Sequence, residues 1–416
     1  MRKIILRDRH KIFPFNEPAR DLRVLNKTLW LHQRDLFARY DVIEREIDSL
    51  AEVDDDIEET IIYRDNLFFD QFFLDEFIQK ARDFNRPCRV AFSLDDLAIT
   101  THALHLQRGI RQEGDVYVAD MWYFPNGFKP EVAPLVIDTG AHEMGYYHVP
   151  THMSDRAGDL VYQVPIKAFC SIEHWMHTIT ANVIFGVMSN GARLDIESEK
   201  VEKQLRILWR AMLERRNVHT SSEVVKVGRN CSIDPTAIIK GPTYIGNNVN
   251  IGPGVVIDVS VIGDNVSITQ GGQVQWSVVS DRCFLPFRAA VFSSVMMKDS
   301  MLAQNTCLQF CSVGRESFIG AGSTFTDFNL IPKKPIRAIF EGKPQETGFQ
   351  VIGGCVGHHC HIGSGMVVYP ARAIESDVVL FATPERRVID RTIFYEDSDH
   401  LKIPHGAALH RRMYER

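Results

Sequence analysis

Aliphatic residues return every six positions through the second half of the chain. The first run consists of Val227, Ile233, Ile239, Ile245, Ile251 and Ile257. After a slip of one residue the period resumes at Ile262, and a last run extends from Val356 to Ile374. Glycine often follows the aliphatic residue, as in Ile245-Gly246. Neither an α-helix nor an alternating strand has a period of six.

The six-residue period predicts a parallel β-helix with triangular coils over residues 223–382. Each hexad would form a short strand and a corner, and glycine would fit the tight corner. The aliphatic residue and a small residue four positions later, such as Val249 after Ile245, would point inward. Stacked coils would then bury one continuous apolar column, which a single coil cannot do.

One stretch, from Thr326 to Val351, interrupts this period. Four basic residues lie within it: Lys333, Lys334, Arg337 and Lys343. A loop that leaves a regular scaffold carries function more often than a residue inside a coil. The alternative is a solvated lid, or an arm that contacts another subunit.

The first half lacks the period, and we expect an α/β domain over residues 1–195. Short apolar runs alternate with helical patterns, which is typical of an α/β sheet. Residues 90–94 predict a buried strand that ends just before Asp95-Asp96. Leu22, Leu25, Leu29 and Leu36 have near-helical spacing.

A helix with one apolar stripe is predicted from Glu197 to Arg216. It lies in a segment, residues 196–222, where a linker between the two domains is needed. We expect the stripe to be a packing surface rather than a partner site. Residues 383–416 form a charged tail without a readable role.

The amino-acid composition restricts the classes of partner that the protein could bind and the compartment in which we expect it. The 416 residues include 47 Lys and Arg against 53 Asp and Glu, a net charge of −6. This charge argues against binding to nucleic acid or to an anionic membrane. The eight cysteines show no paired metal or redox spacing, so we expect free thiols in a reducing compartment. No apolar run approaches the ~18 residues of a spanning helix. The prediction is a soluble cytoplasmic protein.

The hexads resemble those of the hexapeptide-repeat transferases. That resemblance implies left-handed coils, a homotrimer, and ligand sites between neighbouring solenoids.

The order of the parts resembles that of the bifunctional N-acetylglucosamine-1-phosphate uridylyltransferases and a divergent sugar nucleotidyltransferase branch. Residues 13–15 and 17–30 carry the local likeness. It implies a Rossmann-like nucleotidyltransferase domain before the left-handed β-helix. It also implies a reaction of a nucleoside triphosphate with a sugar-1-phosphate, releasing pyrophosphate and forming a nucleotide sugar. The family's glycine loop is replaced by Leu6 to Lys11, where Arg7, Arg9 and Lys11 could supply charge directly.

The same resemblance assigns candidate catalytic residues. Asp96 takes the place of the family aspartate that holds Mg²⁺, and its alternative role is a helix N-cap. Lys27 resembles the family lysine before the second helix, and its alternative is a solvated lysine. Arg9 is the third catalytic candidate, and Arg20 is a candidate substrate-binding residue.

The solenoid resembles the acetyltransferase half of the same enzymes, with acyl-CoA as a possible co-substrate. Asp327 or Asn329 takes the position of an asparagine of that family, and Lys333 takes the position of its lysine. Gln309 stands where the family has its catalytic histidine, and glutamine cannot act as a general base. The fold is therefore expected while acetyl transfer is in question.

Three histidines, His358, His359 and His361, follow the interruption. They occupy corner and outward positions, whereas Cys360 points inward. They could form a metal or proton-transfer site at a trimer interface, or serve packing. His359 and His361 are predicted to bind substrate.

Three functions remain open from the sequence. The first is a sugar-1-phosphate nucleotidyltransferase whose solenoid serves trimerisation or a second reaction. The second is a non-catalytic regulatory or scaffold relative that binds a nucleotide sugar. The third is an acyltransferase on an amino sugar that uses a histidine such as His359 or His361.

Overall fold

Two parts make up the chain, a mixed α/β sheet and a long parallel β-helix, in the order that the sequence predicts. The computed structural model describes residues 1–54, 57–149, 158–329 and 334–416.

The N-terminal sheet has seven strands. They are β1 (Arg2–Leu6), β2 (Ile43–Ile47), β3 (Thr60–Arg64), β4 (Cys88–Ser93), β5 (Ile110–Glu113), β6 (Val116–Phe124) and β7 (Ala133–Val136). Their order is β7-β4-β6-β3-β1-β2, with β5 paired to β6. β1 runs parallel to both β2 and β3, whereas β6 runs antiparallel to β3 and β4. The sheet is therefore mixed, and β1 to β4 and β7 all end at one edge.

The buried strand predicted before Asp95 is confirmed as β4. The leucine pattern is only partly helical, because the helix begins at Leu29. Leu25 and Asn26 adopt left-handed backbone angles, with φ of 48° and 68°. They form the turn between two short strands, which places Leu22 and Leu25 outside the helix.

Seven α-helices are described. They are α1 (Leu29–Leu36), α2 (Gln71–Phe84), α3 (Leu97–His102), α4 (Trp175–Ile179), α5 (Ser189–Ser198), α6 (Val201–Glu214) and α7 (Gly406–Leu409). A π-helix, Thr180–Met188, joins α4 to α5. Short 3-10 helices lie at Ala19–Asp21, Phe37–Arg39, Leu50–Glu52, Val218–Thr220, Tyr395–Asp397 and Asp399–Lys402.

Five antiparallel pairs of short strands lie outside the larger sheets. They are Lys11–Ile12 with Glu17–Pro18, Arg23–Val24 with Lys27–Thr28, Leu67–Phe69 with Phe169–Ser171, His142–Val149 with Gly158–Val164, and Arg337–Phe340 with Lys343–Glu346.

The solenoid consists of three parallel sheets of eight strands each. The first sheet contains Val225–Val227, Thr243–Ile245, Val261–Ile262, Val278–Val279, Val295–Met296, Ser312–Val313, Cys355–Val356 and Ala373–Ile374. The second contains Ser232–Ile233, Asn250–Ile251, Ser267–Ile268, Phe284–Leu285, Met301–Leu302, Phe318–Ile319, His361–Ile362 and Val379–Leu380. The third contains Ile238–Lys240, Val256–Asp258, Gln273–Gln275, Ala290–Phe292, Cys307–Gln309, Thr324–Phe325, Val367–Val368 and Val388–Ile389.

The register confirms the hexad prediction and explains its slip. Val225 pairs with Thr243 and Ile245 pairs with Ile262, so a coil takes 18 or 17 residues. The aliphatic residues and the small residues four later share one buried core, in which Ile245 and Val249 are 0% and 1% exposed. These stacked parallel sheets are consistent with the expected left-handed β-helix. The last strand, Val388–Ile389, lies within the segment that we predicted as the tail.

One corner of the solenoid, between the first and second sheets, repeats the same backbone in every coil. We call it the corner row: Asn230, Asn248, Asn265, Arg282, Asp299, Glu316, His359 and Asp377, with φ between 53° and 64°. Side chains stack along it, since Asn248 donates to Asn265 at 3.2 Å and Arg282 pairs with Asp299 at 2.5 Å. The last two residues of the row, in successive coils, are His359 and Asp377.

The α/β part packs on the first sheet of the solenoid and shares one apolar core with it. Thr178, on α4, donates to Ser312 of that sheet at 3.0 Å. Within the interruption, residues 334–351 form an arm built on the hairpin of Arg337–Phe340 with Lys343–Glu346, and its Ala338 and Phe340 also enter the shared core. The two halves therefore fold around a joint interior.

The linker helix differs from the expectation in one respect. The stripe on α6 does not pack on its own chain: Val201 is 69% exposed, Leu205 60%, Trp209 59% and Met212 68%. The expectation that this stripe packs within the chain is therefore wrong.

Candidate functional site

A set of charged side chains lies where the parallel strands of the N-terminal sheet end. Arg7 and Asp8 follow β1, Asp48 follows β2, and Asp65 follows β3. The carboxyl ends of parallel strands are where open α/β sheets bind ligands. This edge is the first of two candidate sites.

Arg20 bridges two of these strand ends. Its guanidinium lies 2.9 Å from Glu46 and 3.1 Å from Asp65. Burial raises the pKa of Asp65 to about 6, and the hydrogen bond from the Asp8 amide and the charge of Arg20 oppose that rise. The positive charge of Arg20, which we predicted to bind substrate, is therefore already balanced by two carboxylates of the chain.

The other predicted cations of this region are exposed and paired. Arg9 donates to both carboxylate oxygens of Asp48, at 2.9 and 2.8 Å. Lys27 lies 2.5 Å from Asp35, with about half of each side chain exposed. Both cations can exchange these partners for a ligand, because surface ion pairs contribute little free energy. Their catalytic roles remain predictions.

Asp96 caps helix α3, as the alternative interpretation predicted. Its Oδ1 accepts hydrogen bonds from the Ile99 amide at 3.2 Å and the Thr139 hydroxyl at 2.7 Å. Its Oδ2 accepts from the Thr139 amide at 3.0 Å. A carboxylate has about four acceptor positions. Three of them serve the protein and one stays available to a ligand, so the Mg²⁺ site predicted at Asp96 stays a prediction.

The segment with the nucleotidyltransferase likeness lies against the solenoid. Arg23 and Asn26 both bind the Asp281 carboxylate, at 2.9 and 2.7 Å. Further along the solenoid, Glu17 binds the buried His358 at 2.9 Å. The loop between β1 and α1 therefore helps to dock the two halves.

A group of imidazoles at the end of the corner row forms the second candidate site. His359 Nδ1 lies 2.9 Å from Oδ1 of Asp377. The His359 ring stacks on His410 with centroids 4.1 Å apart, and His361 lies 5.0 Å from His410. The ring of His400 also contacts His410, with centroids 5.0 Å apart. We call these five residues the histidine cluster.

The tail supplies two members of this cluster. His400 belongs to the 3-10 helix Asp399–Lys402, and His410 follows α7. The amides of Met413 and Tyr414 donate to Oδ2 of Asp377 at 2.8 and 2.7 Å, which holds the tail on the corner. Sequence analysis predicted His359 and His361 and missed Asp377, His400 and His410. The 18-residue offset from His359 to Asp377 was a usable signal, whereas the tail residues have no periodic signal.

Burial controls the charge of the cluster. Asp377 is 0% exposed, His400 3% and His410 8%. Burial, together with the neighbouring His359, His361 and His400, lowers the pKa of His410 to about 4. Burial and neighbouring His359 also lower the pKa of His361. His361 and His410 are therefore neutral near pH 7, and each neutral ring has one nitrogen lone pair that can bind a proton or a metal ion.

The remaining predicted residues, Asn329 and Lys333, belong to the segment that interrupts the six-residue period. Asn329 donates to the backbone oxygen of Lys334 at 2.7 Å. Lys333 lies outside the described residues. The substrate-binding role predicted for each stays a prediction.

A cavity of about 470 Å³ lies between the last solenoid strand and the tail. This volume is within the usual range of small-molecule sites. Four cationic side chains line it: Arg386, Arg387, Arg391 and Lys402. Arg386 and Lys402 bind the carboxylate of Asp399, the neighbour of His400. The cavity and the histidine cluster therefore share one tail segment.

A family model described as "Bacterial transferase hexapeptide (six repeats)" matches residues 225–258. No curated protein matches the chain. Among the described residues, no helix combines the length and the apolar character needed to cross a bilayer.

Solved structures resemble parts of the chain. One is an acetyltransferase assigned as putative from Bacillus cereus, 16% identical, covering 35% of this chain and 77% of that one, with a TM-score of 0.20. Another is the UDP-N-acetylglucosamine acyltransferase of Campylobacter jejuni, which is 15% identical, covers 37% of this chain and 64% of that one, and has a TM-score of 0.21. A third is the H141A mutant of GDP-perosamine N-acetyl transferase from Caulobacter crescentus, in complex with CoA and GDP-perosamine. It is 19% identical, covers 38% of this chain and 55% of that one, and has a TM-score of 0.15. TM-scores of this size do not assign an activity.

Proposed function

We propose that the chain is a transferase that moves an acyl group from acyl-CoA to the amine or hydroxyl of a sugar. The reaction would take place on the outer face of the solenoid, beside the histidine cluster. The observation that carries the proposal is the position of His361, an exposed imidazole beside His359 and His410 near the end of the solenoid. The family match at residues 225–258 supports the same class of reaction.

In this reaction the acceptor nitrogen or oxygen attacks the thioester carbonyl. A C–N or C–O bond forms, the C–S bond breaks, and the proton lost by the acceptor ends on the CoA thiol. Holding the acceptor in line with the thioester accounts for most of the rate enhancement. His361 is the acceptor-positioning residue in this proposal, in keeping with its predicted substrate-binding role.

The cavity lined by Arg387 is the donor site in this proposal. Acyl-CoA carries phosphate groups, and guanidinium groups bind phosphate through paired hydrogen bonds. Arg387 is exposed at the cavity wall. Asp397 and Lys402, which also line the cavity, flank His400 in the chain, so donor and acceptor sites would be neighbours.

The test is release of free CoA thiol from acetyl-CoA and longer acyl-CoAs, in the presence of amino sugars and nucleotide sugars. His361→Ala is expected to lower kcat/KM for the acceptor at least tenfold, and Arg387→Ala to raise KM for acyl-CoA. His219→Ala, which removes an exposed imidazole outside the cluster, is the control and keeps full activity. No thiol release by the folded protein with any pair, or equal activity of all variants, would refute the proposal.

Nucleotidyl transfer is the second candidate. The convergence of charged residues at the carboxyl ends of β1, β2 and β3 favours it, together with the exposed cations Arg9 and Lys27. Its test is pyrophosphate release from a matrix of nucleoside triphosphates and sugar-1-phosphates. Lys27→Ala should lower release at least tenfold, whereas Asp35→Ala, which removes the partner of Lys27, should preserve it. Absence of release across the matrix would leave the regulatory alternative, tested by nucleotide-sugar binding.

A further inference from the structure

Three ligand atoms converge at the end of the corner row. One each from His359, Asp377 and His410 lie within 4.8 Å of one another. Bond lengths of about 2.0–2.2 Å to zinc place the ligands of a tetrahedral shell about 3.3 Å apart. The pair formed by His359 and Asp377, at 2.9 Å, is already near that separation. The third ligand needs a shift of about an ångström, which rotation of one imidazole ring can supply.

Two buried nitrogens near this point lack a partner. Within the part of the chain that the structure describes, Nε2 of His410 and Nε2 of His400 have no hydrogen-bond partner. Both residues are more than nine-tenths buried. Leaving a buried donor or acceptor unsatisfied costs about 1–3 kcal/mol, so two such atoms in contacting rings call for an explanation.

Packing does not provide that explanation. Elsewhere along the corner row, opposite charges or amides meet directly, as in the pair of Arg282 with Asp299. At its end, His359 meets the carboxylate of Asp377, which is 0% exposed, and the ring of His410 stacks on His359. Two imidazoles and a carboxylate are a ligand set that suits zinc and related divalent transition metals.

We propose that His359, Asp377 and His410 bind one divalent transition-metal ion of the zinc type. His361 and His400 contact the ring of His410 and are the nearest candidates for a fourth ligand. The bound ion links the last two coils to the tail through His410. This inference concerns metal binding and does not depend on the proposed transferase activity.

The direct test is titration of the chelator-treated full chain with Co²⁺ and with Zn²⁺. Cobalt should bind at one equivalent with visible d–d absorption, and zinc should displace it. His410→Ala should weaken zinc binding at least tenfold, measured by competition with a chromophoric chelator. His405→Ala is the matched control, because His405 is an exposed histidine of the same tail. Absence of binding by the wild type, or equal affinity of wild type and His410→Ala, would overturn the proposal.

A second measurement separates a lost site from a damaged fold. Without metal, wild type and His410→Ala should melt at similar temperatures; with zinc, the wild type alone should melt higher. Zinc should also slow tryptic cleavage after the exposed Arg411 in the wild type and in His405→Ala, but not in His410→Ala. Equal zinc protection of all three proteins would place the ion elsewhere and refute the assignment.

Discussion

Oε1 of Glu17 lies 2.9 Å from Nε2 of His358, although 341 residues separate them in the chain. The backbone amide of Arg315 donates to Nδ1 of His358 at 2.8 Å, so Nε2 carries the ring proton and donates to Glu17. The Arg315 guanidinium pairs with the other oxygen of Glu17. Burial raises the pKa of Glu17, but the charges and hydrogen bonds of His358 and Arg315 outweigh it and hold the pKa below its ordinary value.

Glu17→Ala is therefore expected to lower the free energy of unfolding by about 3–5 kcal/mol, the usual effect of breaking a buried ion pair. The loss arises because Arg315 and the His358 N–H remain buried without their acceptor. Urea denaturation measures it. Glu316→Gln, an exposed carboxylate next to Arg315, is the control and should change stability by less than about 0.5 kcal/mol. Equal midpoints for wild type and Glu17→Ala would show that this pair does not dock the two halves.

Acid is expected to destabilise the junction between the α/β part and the arm. His174 is fully buried, and its Nε2 lies 3.2 Å from the Ile339 oxygen on the arm. Burial, with help from His177, lowers the pKa of His174 to about 3. Because the folded pKa lies below the unfolded value of 6.5, folding favours the neutral ring. Its contribution is complete above pH 6.5 and is lost as the pH falls towards 3.

The full loss is about 5 kcal/mol, from roughly 3.5 pKa units at 1.36 kcal/mol each, and about 3 kcal/mol of it falls between pH 7 and pH 4. Unfolding free energies measured between pH 7 and pH 4 test it. His174→Gln, whose amide can still donate to Ile339, should show a shallower slope than the wild type. His219→Gln, at an exposed position, should reproduce the wild-type slope. Parallel curves for wild type and His174→Gln would contradict the assignment.

Two glycines of the arm offer a matched pair. Gly342 and Gly348 both have φ of 74°, so alanine carries the same backbone strain at either position. A Cβ at Gly348 would lie 2.1 Å from the His105 ring, whereas a Cβ at Gly342 meets nothing within 4 Å. Gly342→Ala should cost about 1 kcal/mol, and Gly348→Ala a further 1–3 kcal/mol from overpacking. Thermal melts compare the two, and equal losses would show that His105 moves aside freely.

The exposed stripe of α6 predicts self-association. Soluble monomers rarely present such a continuous apolar surface to water. We expect the homotrimer that the hexapeptide resemblance implies, with Leu205 and Met212 in the interface. The double substitution Leu205→Lys/Met212→Lys should reduce the mass in light scattering to that of a monomer. Ile57→Lys, at an apolar residue 82% exposed elsewhere, should leave the mass unchanged. A monomeric wild type would refute the prediction.

The sequence by itself determined the solenoid. The period of six can be recognised without knowing which residues pair, because aliphatic residues from Ile245 to Ile374 mark the inward positions, although the column that they form is buried only when the coils stack. It also predicted the order of the two parts, a strand at residues 90–94, which the structure has at Cys88–Ser93, and the placement of His359 and His361 on the corner and outer face. Each of these properties depends on the pattern of residues close together in the chain, and that pattern can be read from the sequence.

Only the tertiary structure decided which residues meet. The loop with the nucleotidyltransferase likeness docks on Asp281 and His358, and the tail brings His410 to His359 and Asp377. The exposure of the α6 stripe also became visible only there. These contacts join segments tens to hundreds of residues apart through charge and shape. Such pairings leave no periodic trace in a single sequence, so the candidate site could be predicted in part and completed only from the fold.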